Sequence, residues 1–326
     1  MSPDPSPLAR LGLGLAALGR PAYINLGHGE DFPGGRTPEA MERHAHVVLD
    51  AAWDLGIRYV DAARSYGQAE AFLRSWLVAR GIAPGAVVVG SKWGYRYVGD
   101  WRLEAERHEV KDHSAAALRA QLAESEALLG PWLALYQIHS ATPESGVLDD
   151  AAVLDGLAEL RARGVEVGLS TSGPGQAGTI RRALAIERDG RPLFASVQAT
   201  WNVLERSAEP ALVEARALCR TVIVKEALAN GRLTARGDAG RAGPVAALAA
   251  ELSATPDAVA IAAALARPWA DVVLLGASTV EQLRSNVRGV GLDPAALARA
   301  LDGGALAAAA EAPEAYWRKR AALPWR

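Results

Sequence analysis

Short apolar runs alternate along the chain with longer stretches in which apolar residues recur at helical spacing. Runs at 11–15, 57–61, 87–91, 133–138, 165–169, 195–198, 221–224 and 272–275 are bounded by breakers, carry β-branched and aromatic residues, and read as strands. Between them the spacing predicts helices over about 37–55, 68–80, 114–129, 150–163, 176–187, 208–218 and 256–266. Thr37 followed by Pro38 and Glu39 is a helix start, with a capping hydroxyl, a proline in the first turn and an acid near the positive helix end. The strands are apolar almost throughout rather than alternating, which argues for a parallel sheet covered on both faces. Eight strands alternating with helices in a chain of this length favour an α/β fold of the closed (β/α)₈ TIM-barrel type over an open doubly wound sheet. No GxGxxG turn opens the first unit, which counts against a Rossmann domain. The expected organisation is one domain over residues 1–326, with the barrel at about 11–290 and a tail at 291–326. A long loop at 93–113 and the tail, which carries Tyr316, Trp317 and Trp325, are expected to rim the active face of the barrel.

Composition narrows the function classes. At 326 residues the chain exceeds the usual domain of roughly 100 to 200, a length that single α/β barrels commonly reach. A net charge of -2 provides no basic stripe for phosphates, so no nucleic-acid partner is expected. The single cysteine, Cys219, rules out an intramolecular disulfide and a thiolate metal cage, and suits a reducing cytoplasm. The apolar stretch 11–18 mimics a signal-peptide core, but its leader sets Asp4 against Arg10 among prolines, and glycines interrupt it. No run approaches the roughly 18 to 20 apolar residues of a membrane helix, since 258–266 is cut by Arg267 and Pro268, so no membrane association is expected.

Four polar residues, Asp61, Tyr66, Lys92 and His139, stand at or just past strand ends, where parallel strands would bring them to one face. A tyrosine, with its ordinary pKa near 10, is a poor acid at neutral pH. A neighbouring lysine is expected to lower that pKa, and a carboxylate to keep the lysine charged, roles open to Lys92 and Asp61. A histidine across the pocket orients a substrate oxygen and stabilises charge developing on it. Asp61 and Lys92 taken alone read equally well as a structural ion pair. The set suits hydride addition to a carbonyl, with a nicotinamide cofactor as the hydride source. His28, His44, His46, His108 and His113 read as packed or capping residues outside the site. A metal-dependent barrel hydrolase would need several His and carboxylate ligands at strand ends, and only His139 is so placed, so no metal is expected.

Residues 60–67 (VDAARSYG), 90–92 (GSK) and 135–139 (LYQIH) resemble the aldo-keto reductases, with the order and spacing of all four positions in agreement. The resemblance extends from about residue 11 to 290 and implies a (β/α)₈ barrel that reduces a small carbonyl substrate. By it Tyr66 is the general acid, Asp61 and Lys92 tune it, and His139 orients the carbonyl. It further implies that Ser170 and Gln198 hold the nicotinamide carboxamide, that Trp201 stacks on the nicotinamide ring, and that Lys225 stands near the pyrophosphate. Gly276, Ala277, Ser278 and Thr279, with Gln282 and Asn286, resemble the adenosine-phosphate segment, at a helix N-terminus that favours anions. Residues 278–281 are also readable as a plain capping box. The cofactor implied is NADPH, with NADH also admissible. The chain departs from the family's pattern at Thr171, at Glu226-Ala227-Leu228-Ala229 after the seventh strand, and at Gln282, where many members carry an arginine. Trp93, Trp101 and Trp317 are expected as substrate-pocket walls. The rival function, from another class, is a nicotinamide-binding redox sensor or regulatory subunit on the same barrel.

Overall fold

The computed structural model describes residues 7–325 apart from the Arg241 side chain, so Asp4 lies outside the described residues. Eight parallel strands close into a barrel: β1 Leu11–Gly14, β2 Tyr59–Asp61, β3 Val88–Trp93, β4 Leu133–Ala141, β5 Glu166–Thr171, β6 Ser196–Thr200, β7 Thr221–Lys225 and β8 Val272–Leu275. Each pairs with its neighbours in sequence, and closure comes from β1 against β8, with Leu11 opposite Val273. Every strand read from the sequence is present. The main shift is in β4, which runs past His139 to Ala141 through a register irregularity and a positive φ of 50° at Ser140.

The barrel helices are α1 Pro38–Asp54, α2 Ala69–Ala79, α3 Ala115–Leu129, α4 Ala151–Ala162, α5 Gln176–Leu184, α6 Glu209–Ala217, α7 Pro256–Leu265 and α8 Val280–Val287. Thr37 caps α1 by accepting from the Ala40 N–H at 3.2 Å, and Ser114 caps α3 in the same way at 3.1 Å. Gly56, at φ 87°, turns the chain from α1 back toward the sheet, a conformation that costs a side-chain-bearing residue and suits glycine.

Strand side chains alternate between two environments. Outward residues such as Tyr136 and Ile138 join the main core beneath the helices. Inward residues fill the barrel: Tyr59, Leu135, Ile223 and Leu274 form an apolar plug. Small residues make room for it, since a Cβ on Gly12 would lie 2.8 Å from both Leu274 and Tyr59, and one on Gly90 would lie 2.9 Å from the Tyr59 hydroxyl. Two residues further along the same strands, Asp61, Lys92 and Gln137 share the inward parity of Tyr59, Gly90 and Leu135. Polar groups therefore sit on an apolar floor at the C-terminal ends of the strands.

Loop 93–113 contains a short antiparallel pair that the sequence does not show. Tyr95–Tyr97 pairs antiparallel with Glu109–Lys111, Tyr95 opposite Lys111. Strands this short leave no readable alternation. The tail forms helices α9 Pro294–Leu301 and α10 Pro313–Ala321, and α10 is anchored by Tyr316, whose buried hydroxyl accepts from Asn202 Nδ2 at 3.0 Å. Among the described residues no single helix is long and apolar enough to cross a membrane.

Candidate active site

Lys92 is the centre of the polar group. Its buried ammonium donates to Asp61 Oδ2, to the Ala62 carbonyl at 2.9 Å and to Tyr66 Oη at 3.2 Å. The other carboxylate oxygen of Asp61 accepts from Gln198 Nε2 at 3.0 Å and from Gln137 Nε2 at 3.4 Å. A charged pair this deeply buried persists only when its remaining lone pairs and protons are also satisfied, and these amides contribute to that. His139 Nδ1 lies 3.3 Å from Ser65 Oγ, and its Nε2 makes no hydrogen bond among the described residues. His113 Nε2 donates to the His139 carbonyl at 2.8 Å, which steadies the irregular end of β4. The four side chains singled out in the sequence thus meet, and Asp61, Tyr66 and His139 line a common cleft.

The protonation pattern differs from the sequence-based expectation in one respect. Burial, with the Asp61 charge next, pushes the Tyr66 phenol well above its ordinary 10, so it is protonated at neutral pH. Any lowering by the Lys92 ammonium is outweighed by burial and the Asp61 charge. Burial followed by the Lys92 charge holds His139 well below its ordinary 6.5, so the imidazole is neutral. A protonated phenol and a neutral imidazole beside one cleft form a pair of neutral hydrogen-bond donors.

Local backbone geometry sets Tyr66. Gly67 has φ +61°, and a Cβ there would lie 2.4 Å from the Gly19 carbonyl, which accepts from the Gln68 N–H at 2.7 Å. The segment after β1 is thereby pressed against the tyrosine. It delivers Arg20, whose buried guanidinium donates to the Ser65 carbonyl at 3.0 Å and to Glu109 at 2.6 Å. The same guanidinium lies 5.2 Å from the Tyr66 ring centre and 4.8 Å from those of Tyr23 and Trp325.

The cleft, of about 590 Å³, runs from Tyr66 and His139 past Lys225 and Glu226 to Gln282 and Asn286. Gln198, Gly276, Ala277 and Ser278 also line it. Three expected cofactor residues are placed otherwise. Trp201 is turned into the core, where its indole N–H donates to Glu209 at 3.0 Å and its ring meets Trp269 edge-on, so it offers no stacking face to the cleft. Ser170 is buried under β4, its Oγ accepting from the Ser140 N–H at 2.8 Å. Thr279 is occupied as the cap of α8, accepting from the Gln282 N–H at 3.2 Å. The cap is therefore Thr279 rather than Ser278, and no reciprocal capping box forms, since Gln282 Oε1 accepts from the Ser278 N–H at 2.8 Å instead of from that of Thr279.

Glu226 faces the cleft but is not a bare charge. Arg320 from α10 grips its carboxylate through Nε at 2.9 and 3.0 Å, Thr200 Oγ1 donates to it at 3.2 Å, and Lys225 stands 3.7 Å away. Burial works to raise its pKa, yet Arg320 and then Lys225 outweigh it and hold the carboxyl at about 2. Burial brings Lys225 down to about 8, against the pull of Glu226.

Two buried amide oxygens test whether these residues fit a nicotinamide dinucleotide. Gln198 Oε1 and Asn286 Oδ1 accept no hydrogen bond, although the amide nitrogens of the same side chains are bonded to Asp61 and Asp257. A buried acceptor left unsatisfied costs about 1–3 kcal/mol. Both belong to cleft-lining residues, and the carboxamide and adenine amino groups of such a cofactor are N–H donors of the kind these oxygens lack. The donor set fits the group. Among the described residues no three His, Cys, Asp or Glu side chains gather as metal ligands.

The aromatic walls near Tyr66 are Tyr23, Tyr95 and Trp325. Trp93 is fully buried, Trp101 donates its indole N–H to the Arg36 carbonyl at 2.6 Å, and Trp317 packs against the core, so these three do not line the cleft. Trp325 stacks on His108 with ring centres 4.5 Å apart and meets Tyr23 edge-on at 6.1 Å. Sequence reasoning missed Arg20, Tyr23, Glu109 and Arg320. Arg20 and Tyr23 directly follow the first strand, and position just past a strand end was the one signal available for them.

Residues 10–298 match the Aldo/keto reductase family model. Among solved structures, a protein of Pseudomonas aeruginosa described as an aldo-keto reductase aligns at 24% identity and a TM-score of 0.61, covering 86% of this chain and 90% of that one. A holo-form aldo-keto reductase from Bacillus halodurans aligns at 22% identity and a TM-score of 0.65, covering 93% of this chain and 92% of that one. At these identities the likeness speaks for the fold. No curated protein matches in sequence. Arg320 and Trp325 lie beyond the matched residues.

Proposed function

This chain belongs to the aldo/keto reductase family, and from that premise we propose that it reduces an aldehyde or ketone with NAD(P)H, or oxidises the corresponding alcohol, with Tyr66 as the proton donor. Family membership makes it an oxidoreductase in general terms; the residue roles are our reading. A bound reduced nicotinamide supplies the hydride to the carbonyl carbon. The Tyr66 hydroxyl gives its proton to the carbonyl oxygen, and the alcohol forms. The Lys92 ammonium, 3.2 Å from Tyr66 Oη, then stabilises the phenolate left behind, while Asp61 keeps that ammonium charged and in place. His139, neutral and with Nε2 unengaged, donates a hydrogen bond to the same substrate oxygen as negative charge grows there. Gln198, Lys225, Gly276, Ala277, Ser278, Gln282 and Asn286 are the residues that would hold the cofactor.

The observation that carries this reading is the buried sequence of hydrogen bonds from Asp61 through Lys92 to Tyr66, ending at a cleft beside a free imidazole nitrogen. The exposed, unpaired Cys219 supports a reducing cytoplasmic setting. Tyr66→Phe is expected to abolish turnover across a panel of aldehydes and ketones while cofactor binding, followed by fluorescence titration, is kept. Near-normal turnover by that variant sinks the assignment of the proton donor. Saturable cofactor binding by the unaltered protein without turnover of any carbonyl would favour the sensor reading instead.

A further inference from the structure

The end of the cleft remote from Tyr66 is built from three distant parts of the chain. Asp31 comes from the long segment between β1 and α1, Arg236 from the segment after β7, and Gln282 from the first turns of α8. The Asp31 side chain is only 3% exposed, and its Oδ1 accepts both from Gln282 Nε2 at 2.9 Å and from Arg236 Nη2 at 2.7 Å. Its Oδ2 accepts no hydrogen bond among the described residues, although Asp31 lines the cleft. Gln282 is committed at both ends of its amide, to Asp31 and to the Ser278 N–H. Arg236 is likewise committed, to Asp31 and to the Gly27 carbonyl at 3.2 Å. Asp257 and Glu281 also line the cleft, so among its described lining residues three carboxylates stand with Arg236, whose charge Asp31 already offsets; the Arg36 charge also acts on Asp31.

Resting on the oxidoreductase reading above, we infer that Asp31 makes this enzyme select NADH over NADPH. The two forms differ only at the adenosine ribose, which carries a 2'-hydroxyl in one and a 2'-phosphate in the other. A hydroxyl donates a hydrogen bond, and a carboxylate oxygen with open lone pairs is its natural acceptor, the chemistry by which an acidic residue recognises NAD in dinucleotide-binding folds. A phosphate monoester brings about -1.5 to -2 charges at neutral pH and oxygens that only accept well. Beside Asp31, Asp257 and Glu281 it meets like charge. Gln282 has no charge with which to offset it. Arg236 keeps N–H donors beyond the two it uses, but its charge is already offset by Asp31, which weakens its pull on a phosphate. Where the family resemblance implies NADPH, the residues at this end of the cleft favour the other form.

The test is the dissociation constant of the full chain for NADH and for NADPH, measured without substrate by calorimetry and by quenching of tryptophan fluorescence. The unaltered protein is expected to bind NADH at least about tenfold more tightly than NADPH, since juxtaposed like charges cost several kcal/mol. Asp31→Asn is expected to narrow that ratio by about tenfold, mainly by tightening NADPH, because it removes the repelling charge and keeps the shape. Gln282→Arg, on the exposed side of the same contact, should move the ratio in the same direction and guards against misfolding of the first variant. NADPH binding as tightly as NADH, or both variants weakening the two forms equally, would overturn the inference and leave the oxidoreductase reading standing. Binding of neither form by the unaltered protein would overturn that reading, and this inference with it.

Discussion

Gln198 donates to Asp61 Oδ1 at 3.0 Å across the barrel, from the middle of β6 to the end of β2. One amide thereby joins the two halves of the site: its nitrogen completes the shell of the Lys92–Asp61 pair, and its buried oxygen has no hydrogen-bond partner. The parity of inward positions along the strands explains the meeting, since Gln198 follows Ser196 and Asp61 follows Tyr59 by two residues each.

Gln198→Leu removes the donor and leaves Asp61 Oδ1 with only the longer bond from Gln137. Urea unfolding is expected to show a loss of about 1–3 kcal/mol, the range for a buried acceptor that loses its partner. Nicotinamide binding should weaken as well. Unfolding and binding both equal to those of the unaltered protein would show that the amide serves neither half.

Lys92→Met leaves Asp61 as a buried, unpaired carboxylate, a change that typically costs about 3–5 kcal/mol. The double variant Asp61→Leu/Lys92→Met is expected to recover part of that loss in stability while remaining inactive. The comparison of denaturation midpoints with turnover separates the ion pair's structural part from its chemical one. A double variant no more stable than the single one would mean that packing rather than charge dominates.

Glu226 links the tail to the cleft, and its titration has a defined sign. Its folded pKa of about 2 lies below its ordinary 4.5, so its contribution to stability is fully present above about pH 4.5 and is lost as pH falls toward 2. The melting temperature of the unaltered protein is expected to fall through that window, and Glu226→Gln should flatten part of the fall while lowering stability at pH 7. Identical acid limbs for the two proteins would show that the grip of Arg320 on Glu226 does not contribute.

Trp325→Ala removes the aromatic face on which Arg20 rests and opens the cleft beside Tyr66. KM for carbonyl substrates is expected to rise, with the melting temperature little changed, because Trp325 is only half-buried. Trp93→Ala should do the reverse, costing about 3–5 kcal/mol of stability as a fully buried aromatic. Trp101→Ala and Trp317→Ala are expected to leave KM unmoved. Steady-state kinetics on these variants tests whether the tail or the expected tryptophans wall the substrate pocket.

The strands, most helix starts and the order of the four polar residues could all be read from the chain, because each depends on neighbours within a few positions. Thr37 caps the helix expected of it, the helix read from 114 begins there, and 272–275 is a strand end to end. Where the reading failed, the deciding partner was far away. Trp201 follows a strand as a stacking residue would, but Glu209 and Trp269 hold its ring in the core. Glu226 departs from the family's pattern, and nothing near it in sequence shows that Arg320, 94 residues on, grips its carboxylate. The short strands within 93–113 have too few residues for any alternation to register.

The sequence by itself determined the alternation of strand and helix and the spacing that unites Asp61, Tyr66, Lys92 and His139. These follow from periodicity and sterics along the chain. Only the tertiary structure decided which charges are spent and which remain available: Lys92 on Asp61, Arg320 on Glu226, and Arg236 with Gln282 on Asp31, a contact 251 residues apart in the last case. Barrel closure brings such residues within bonding distance, and once buried there a charge is governed by its nearest partner rather than by its neighbours in sequence.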